Sequence, residues 1–242
     1  MPKRTGIGQG QGFDPLYTGK IYHVYSRTIA GVEVFTEDES KYAYLFLKIL
    51  RHCMKYDTSF SVHGKQSKGM GEEFHKLQNP KSINDDPSRV LPVKIHAYVI
   101  MPNHFHLLVE QLVDDGISFF IGRILKSFSK IYNRESTRKG ALWEGKFRAK
   151  LIADEKDYLQ VIRYIHLNPI KSTRLGVGDL DSYEFSSYLD AIGKRNSWLC
   201  DHTYLQNLFT SPSEYEEFVH TQIAPGDQMH AESLAIEEPF AG

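Results

Sequence analysis

The segment 93–110, VKIHAYVIMPNHFHLLVE, restricts the possible folds of this chain more than any other stretch. Two apolar runs flank Pro102 and Asn103, a pair suited to a tight turn. Runs rich in Val, Ile, Tyr and Leu on either side of such a turn predict an antiparallel hairpin of largely buried strands. The second strand carries His104 and His106. Residues two apart on a strand share a face, so both imidazoles project together while Phe105 and Leu107 face the opposite layer. Two neutral imidazoles side by side can hold a divalent cation, and the same spacing also suits a structural pair.

The rest of the chain supplies partners for that hairpin. KIYHVYSRTI (20–29) reads as a strand. Thr36 and Glu39 form a capping box ahead of a helix with apolar positions Tyr42, Leu45, Phe46, Ile49 and Cys53. Residues 57–90 are polar and without a clear period, which predicts an insertion loop with a short helix near 72–78. From 117, Ile117, Phe120, Ile121, Ile124, Leu125, Phe128, Ile131 and Tyr132 recur at helical spacing, with Arg123, Lys126, Lys130 and Arg134 on the other side. FRAKLIA reads as a short strand, and a last helix over about 155–168 is expected to stop near Asn168-Pro169. This order predicts an α+β domain over 18–200, with helices packed on one face of an antiparallel sheet. A flexible N-terminus (1–17) and an acidic extension (201–242) flank it.

Composition narrows the function classes. At 41% hydrophobic and 12% aromatic residues the chain can build a sizeable core. No run approaches a membrane span and no signal-peptide pattern opens the sequence. Cys53 and Cys200 match no metal spacing, and a reduced cytoplasmic setting is the simplest expectation. The net charge is -1, but Arg123, Lys126, Lys130, Arg134, Arg138, Lys139, Lys146, Arg148 and Lys150 crowd 119–150 against only Glu135 and Glu144. The segment 201–242 carries no Lys or Arg. A basic middle beside an acidic end suits a polyanion-binding surface, or simply two solvated ones. Tyr132, Trp143 and Phe147, interleaved with the basic residues, can serve as stacking surfaces for nucleic acid or as core.

YLQVIRYIHLNPIKS (158–172) holds the second candidate. On a helical wheel Tyr158, Val161, Ile162 and Ile165 form the core stripe. Tyr164 falls on its flank, Asn168 lies on the same side one turn later, and His166 points away. A phenol followed by an amide can supply a nucleophile and an oxygen ligand to one metal. A flank tyrosine with a structural hydrogen bond fits the same pattern.

Taken together, MPNHFHLLVE and YIHLNP resemble the His-hydrophobic-His strand and the Tyr-x-x-x-Asn helix of the HUH single-tyrosine transposases. The likeness is to the REP-associated branch in particular. It extends to YHVYSRTIAGVEVF, LWEGKFRAKLI and YEFSSYLDAIG, covering most of 20–192 outside the insertion. The resemblance implies a ferredoxin-like palm and a divalent cation, Mg²⁺ or Mn²⁺. It implies cleavage and rejoining of single-stranded DNA near a hairpin through a 5′-phosphotyrosine. By matching positions, Tyr164 would be the nucleophile and His104, His106 and Asn168 the metal ligands. Lys126, Lys130, Arg134, Arg138, Lys139, Lys146 and Arg148 are the DNA-contact candidates. A monomer and a homodimer are both compatible with the sequence, and the acidic extension is expected to be dispensable for chemistry. Two other readings remain open at this stage: a non-catalytic module that binds DNA hairpins, and a metal-dependent phosphodiester hydrolase in which Tyr164 is structural.

Overall fold

The computed structural model describes residues 15–36, 40–55, 60, 90–172 and 177–221. The Glu39 half of the capping box, nearly all of the 57–90 insertion and most of the N-terminal segment lie outside the described residues.

The elements are β1 (Ile21–Arg27), α1 (Ser40–Lys55), β2 (Val93–Met101), β3 (His104–Gln111), α2 (Gly116–Glu135), β4 (Arg148–Leu151), α3 (Glu155–Ser172), α4 (Tyr188–Ala191), α5 (Thr203–Leu208) and α6 (Pro212–His220). The strands form one sheet in the order β2-β3-β1-β4, each neighbouring pair antiparallel. β3 therefore separates β1 from the parallel β2, and β1 separates β3 from the parallel β4. This is the split βαβ connectivity of a ferredoxin-like unit. The free side of β2 is covered by 185–187, through Ile100 N–H to Phe185 O and Ser187 N–H to Tyr98 O.

Strand parity decides what each face carries. Tyr22 and Val24 of β1, with Phe105, Leu107 and Val109 of β3, join α1 and α2 in a first core. In β2 the parity changes midway, because the pairing with β3 shifts between Ile95 and Ala97. A bulge of this kind adds one residue and turns the following side chains over. Val93 and Ile95 thus face the first core, as do Tyr98 and Ile100, while Ala97, Val99 and Met101 face the other side.

That other side is not bare. Tyr158, Val161, Ile162 and Ile165 of α3 pack there on Ala97, Val99, Met101 and Leu108 in a second core. The expectation of helices on one face thus holds for α1 and α2 but not for α3, which closes the opposite face over β2 and β3. Its stripe buries the positions that the helical period selects. The helix also outlasts its expected stop, running through Pro169 to Ser172. Proline removes one main-chain donor. Three residues from the helix end this affects only the last turn, which the buried Pro169 and the packing of Ile170 on the second core hold in place.

The acidic segment from 201 does not begin as a detached tail. Leu205 of α5 and Tyr215 and Val219 of α6 are buried in the second core. His166 of α3 is fully buried between the Tyr215 hydroxyl at 2.7 Å and Ser187 Oγ at 2.9 Å. Burial pushes its pKa down to about 3, so the ring is neutral in the folded chain. Among the described residues no helix is long and apolar enough to cross a membrane.

Candidate active site

β3 and β1 together build the face on which the histidines stand. Their register sets Tyr25 opposite His106 and Arg27 opposite His104. Directly paired residues share a face, so His23, Tyr25 and Arg27 join His104 and His106. β4 continues the row, with Lys150 opposite His23 and Arg148 opposite Tyr25. α3 leaves this β1–β4 half of the face to a row of imidazole, phenol and basic side chains.

The turn between β2 and β3 is tightly held. Pro102 O accepts from the N–H groups of Val34 and Phe35, and Asn103 O accepts from Thr28 N–H. Asn103 Nδ2 donates to Gly31 O at 3.3 Å. Gly31 has φ +66°, and a Cβ added there would stand 3.6 Å from Asn103 Nδ2 and 3.9 Å from an Arg27 guanidinium nitrogen. Glycine allows both the left-handed backbone and this close approach.

Within this frame the imidazoles are oriented by their Nδ1 atoms. His104 Nδ1 lies 2.7 Å from Asn103 Oδ1, and His106 Nδ1 lies 2.9 Å from His23 Nε2. The Asn103 oxygen only accepts, so His104 carries its proton on Nδ1 and its lone pair on Nε2. The rings of His104 and His106 are 5.0 Å apart and nearly perpendicular. His106 is fully buried, and burial first, then its neighbours His104 and His23, hold its pKa well below the ordinary value. A neutral imidazole is the form that ligates a metal. Among the described residues no three His, Cys, Asp or Glu side chains form a ligand set. Two neutral imidazoles on one strand face are nitrogen donors of the kind that Mn²⁺ and later divalent ions accept, and they fill only part of such an ion's shell.

Tyr164 approaches from α3. Its ring is 5.5 Å from His106 and 6.2 Å from His23, edge-on to both. It is half-buried, packed against the second core on one side. Asn168 follows one turn later and is 3% exposed. Tyr158, the other tyrosine of this helix, is in a different setting. It is 1% exposed, its hydroxyl is 3.3 Å from His96, and Tyr204 packs edge-on against it at 4.6 Å. Burial pushes its pKa far up, which suits a structural phenol. His96 belongs with it: burial pushes its pKa down to about 4, so the ring is neutral beside Glu110, 3.5 Å away.

The basic candidates divide. Arg148 lies on the histidine face. Lys126, Lys130 and Arg134 are exposed on α2, whose inner side packs in the first core across the sheet. Arg138 bonds Asn133 Oδ1 and Gly140 O just beyond α2, and Lys139 and Lys146 are exposed. Tyr132 and Trp143 are core side chains and Phe147 packs against the same cluster, so these aromatics serve the core. His23, Tyr25, Arg27, Asn103 and Lys150 were not selected as site residues from sequence. The signal for three of them is the alternation His23, Tyr25, Arg27 along β1.

Residues 73–168 match the family model described as "Transposase IS200 like". The match begins inside the polar stretch that reads as an insertion. Among individual proteins, the chain is similar to the REP-associated tyrosine transposase of Escherichia coli K12. The two are 30% identical over 81 residues, covering 33% of this chain and 46% of that protein. It is also similar to an uncharacterised protein of Haemophilus influenzae, 32% identical over 99 residues, covering 32% of this chain and 55% of that one. The chain thus spans about half the length of the curated relatives it matches. A solved structure, a REP-associated tyrosine transposase bound to a REP hairpin, aligns over 81% of this chain and 94% of its own at 16% identity, with a TM-score of 0.48.

Proposed function

We propose that this chain is a metal-dependent transposase that cleaves and rejoins single-stranded DNA near hairpins, with Tyr164 as the nucleophile. The observation that carries the reading is the placement of a half-buried phenol 5.5 Å from His106, above two imidazoles that share one strand face. In the proposed step a bond forms between Tyr164 Oη and the scissile phosphorus while the bond from phosphorus to O3′ breaks. The phenolic proton is balanced by the proton on the departing 3′ hydroxyl, and the 5′ phosphate stays on the tyrosine. Rejoining is the same exchange in reverse, because the phosphotyrosine keeps the phosphodiester free energy.

His104 and His106 would hold a divalent cation through Nε2, with Asn168 contributing an amide oxygen. When bound, such a cation supplies Lewis-acid charge to the scissile phosphate and the leaving oxygen. Imidazole donors suit Mn²⁺ better than Mg²⁺, which prefers an all-oxygen shell. A free phenol has a pKa near 10. Arg27, Arg148 and Lys150 on the same face would attract the phosphate.

The direct test is incubation with a labelled single-stranded hairpin substrate and Mn²⁺, followed by a denaturing gel. A labelled protein band supports the transposase reading. Cleavage without an adduct would favour a hydrolase, and binding without cleavage a recognition module. Replacing His104 and His106 together by Ala is expected to remove metal-dependent cleavage and, because His106 is fully buried, to lower the melting temperature by several degrees, so cleavage is compared below the variant's own transition. Undiminished cleavage in that variant would refute the metal assignment.

The reacting strand would run over β1 and β4 rather than along α2. Neutralising Arg148 and Lys150 is then expected to reduce the slope of log affinity against log salt by about 0.7 per lost phosphate contact. Neutralising Lys126, Lys130 and Arg134 should change it less. A larger effect from the α2 variant, measured by fluorescence anisotropy across a salt series, would move the strand to the other side of the sheet.

A further inference from the structure

His23 is fully buried on the β1 face that also carries Tyr25 and Arg27, and a buried imidazole needs a polar partner. Its ring lies edge to edge with that of His106, centroids 5.0 Å apart and planes 15° from parallel, as an in-plane hydrogen bond requires. Its Nε2 is directed at His106 Nδ1, at 2.9 Å. One proton must lie between these two nitrogens for the contact to be a hydrogen bond. Only two tautomeric arrangements achieve this with neutral rings. If His23 donates, His106 accepts on Nδ1 and carries its own proton on Nε2, where it cannot ligate a metal. If His106 donates from Nδ1, its Nε2 bears the lone pair and His23 carries its proton on Nδ1.

We infer that His23 is a positioning residue that selects the metal-binding tautomer of His106 by accepting its Nδ1 proton. This rests on the metal-site reading above. The arrangement matches what Asn103 does for His104, so each imidazole of the pair has its own acceptor on Nδ1. Partners of this kind fix the ring and its tautomer, and their loss typically weakens metal affinity about 10- to 100-fold. His23 is not a third ligand: its Nε2 faces His106 Nδ1, and the three histidines do not form a ligand set.

The test uses the full chain with Mn²⁺ alone as the probe, and a tautomer readout that needs no metal. In the unmodified protein, long-range ¹H–¹⁵N correlation of the labelled imidazoles should show His106 protonated on Nδ1 and bare on Nε2. A proton on His106 Nε2 would overturn the inference directly, even if no variant folds. Mn²⁺ binding, followed by the electron paramagnetic resonance of the free ion, should weaken about tenfold or more in His23→Phe. In His23→Gln, whose amide oxygen can accept the same proton, it should return to within about threefold of the parent. Unchanged binding in His23→Phe, with His106→Ala still impaired, would sink the role of His23 and leave the metal site standing. If His106→Ala itself binds Mn²⁺ as the parent does, the metal-site reading fails and the inference falls with it. Equal losses in His23→Gln, His23→Phe and His106→Ala would make His23 a ligand, which also overturns it.

Discussion

Tyr164→Phe is expected to abolish the covalent adduct with single-stranded DNA while leaving the protein folded and able to bind its hairpin. The substitution removes one oxygen. The ring that meets His106 and His23 edge-on, and that packs against the second core, remains. The melting temperature should therefore move by no more than about 2–4 °C, the equivalent of roughly 1 kcal/mol in a chain of this size. Losing a nucleophile has no such cushion. Cleavage should fall by about 10³-fold or more, since water must replace the phenol without its positioning. Tyr158→Phe is the informative counterpart. Its hydroxyl serves His96, well inside the packed face of α3, so that variant should lose stability and keep the adduct. An adduct that persists in Tyr164→Phe and vanishes in Tyr158→Phe would exchange the two roles and refute the site described above.

How far the sequence reveals this site depends on the range of the interactions that build it. Within one element the signal is strong. The period of α3 selects Tyr158, Val161, Ile162 and Ile165 as its buried stripe and leaves Tyr164 on the flank, and the structure has all five in those positions. The alternation of β3 likewise separates His104 and His106 from Phe105 and Leu107. Between elements the signal fades. His23 and His106 are 83 residues apart, and only the β1–β3 register brings them together. Such a register is a property of the assembled sheet. The row His23, Tyr25, Arg27 is visible along β1, but its meaning depends on which face the neighbouring strand presents.

Charge patterning leaves the side of the sheet undecided for a related reason. The basic side of α2 is evident from its wheel, yet a wheel says only that those residues oppose the apolar stripe. It does not say on which face of the sheet the helix lies. Here α2 and α3 lie on opposite faces, so Lys126, Lys130 and Arg134 end up across the sheet from Tyr164. The bulge in β2 is hidden in the same way. VKIHAYVIM is so uniformly apolar that no alternation marks the change of parity at His96, although that change lets one strand serve two cores.

A chain ending at residue 200 is expected to lose most of its stability, and with it the cleavage activity. α5 and α6 are six and nine residues long, too short for a helical period to announce them, and their segment reads as acidic and solvated. Each nevertheless places large side chains under α3. Tyr215 and Val219 are 1% exposed and Leu205 is 2% exposed. Removing them uncovers the outer side of the helix that carries Tyr164, and it strips polar partners as well. His166 loses the Tyr215 hydroxyl, and Arg163 loses its bond to Thr221 O at 2.5 Å and its place over the Phe218 ring. Tyr215→Ala alone should cost about 3–5 kcal/mol, as truncation of a buried aromatic usually does. By the scaling for chains of this length that lowers the melting temperature by about 10 °C. Tyr215→Phe keeps the packing and removes only the hydroxyl from His166, so its cost should be nearer 1–3 kcal/mol. A chain ending at Thr221 keeps every contact described for α5 and α6 and should melt close to the full-length protein. Thermal unfolding by circular dichroism ranks the four chains. If the chain ending at 200 melts with the full-length protein and still forms the adduct, α3 is held by the sheet alone and the second core contributes nothing to placing the nucleophile.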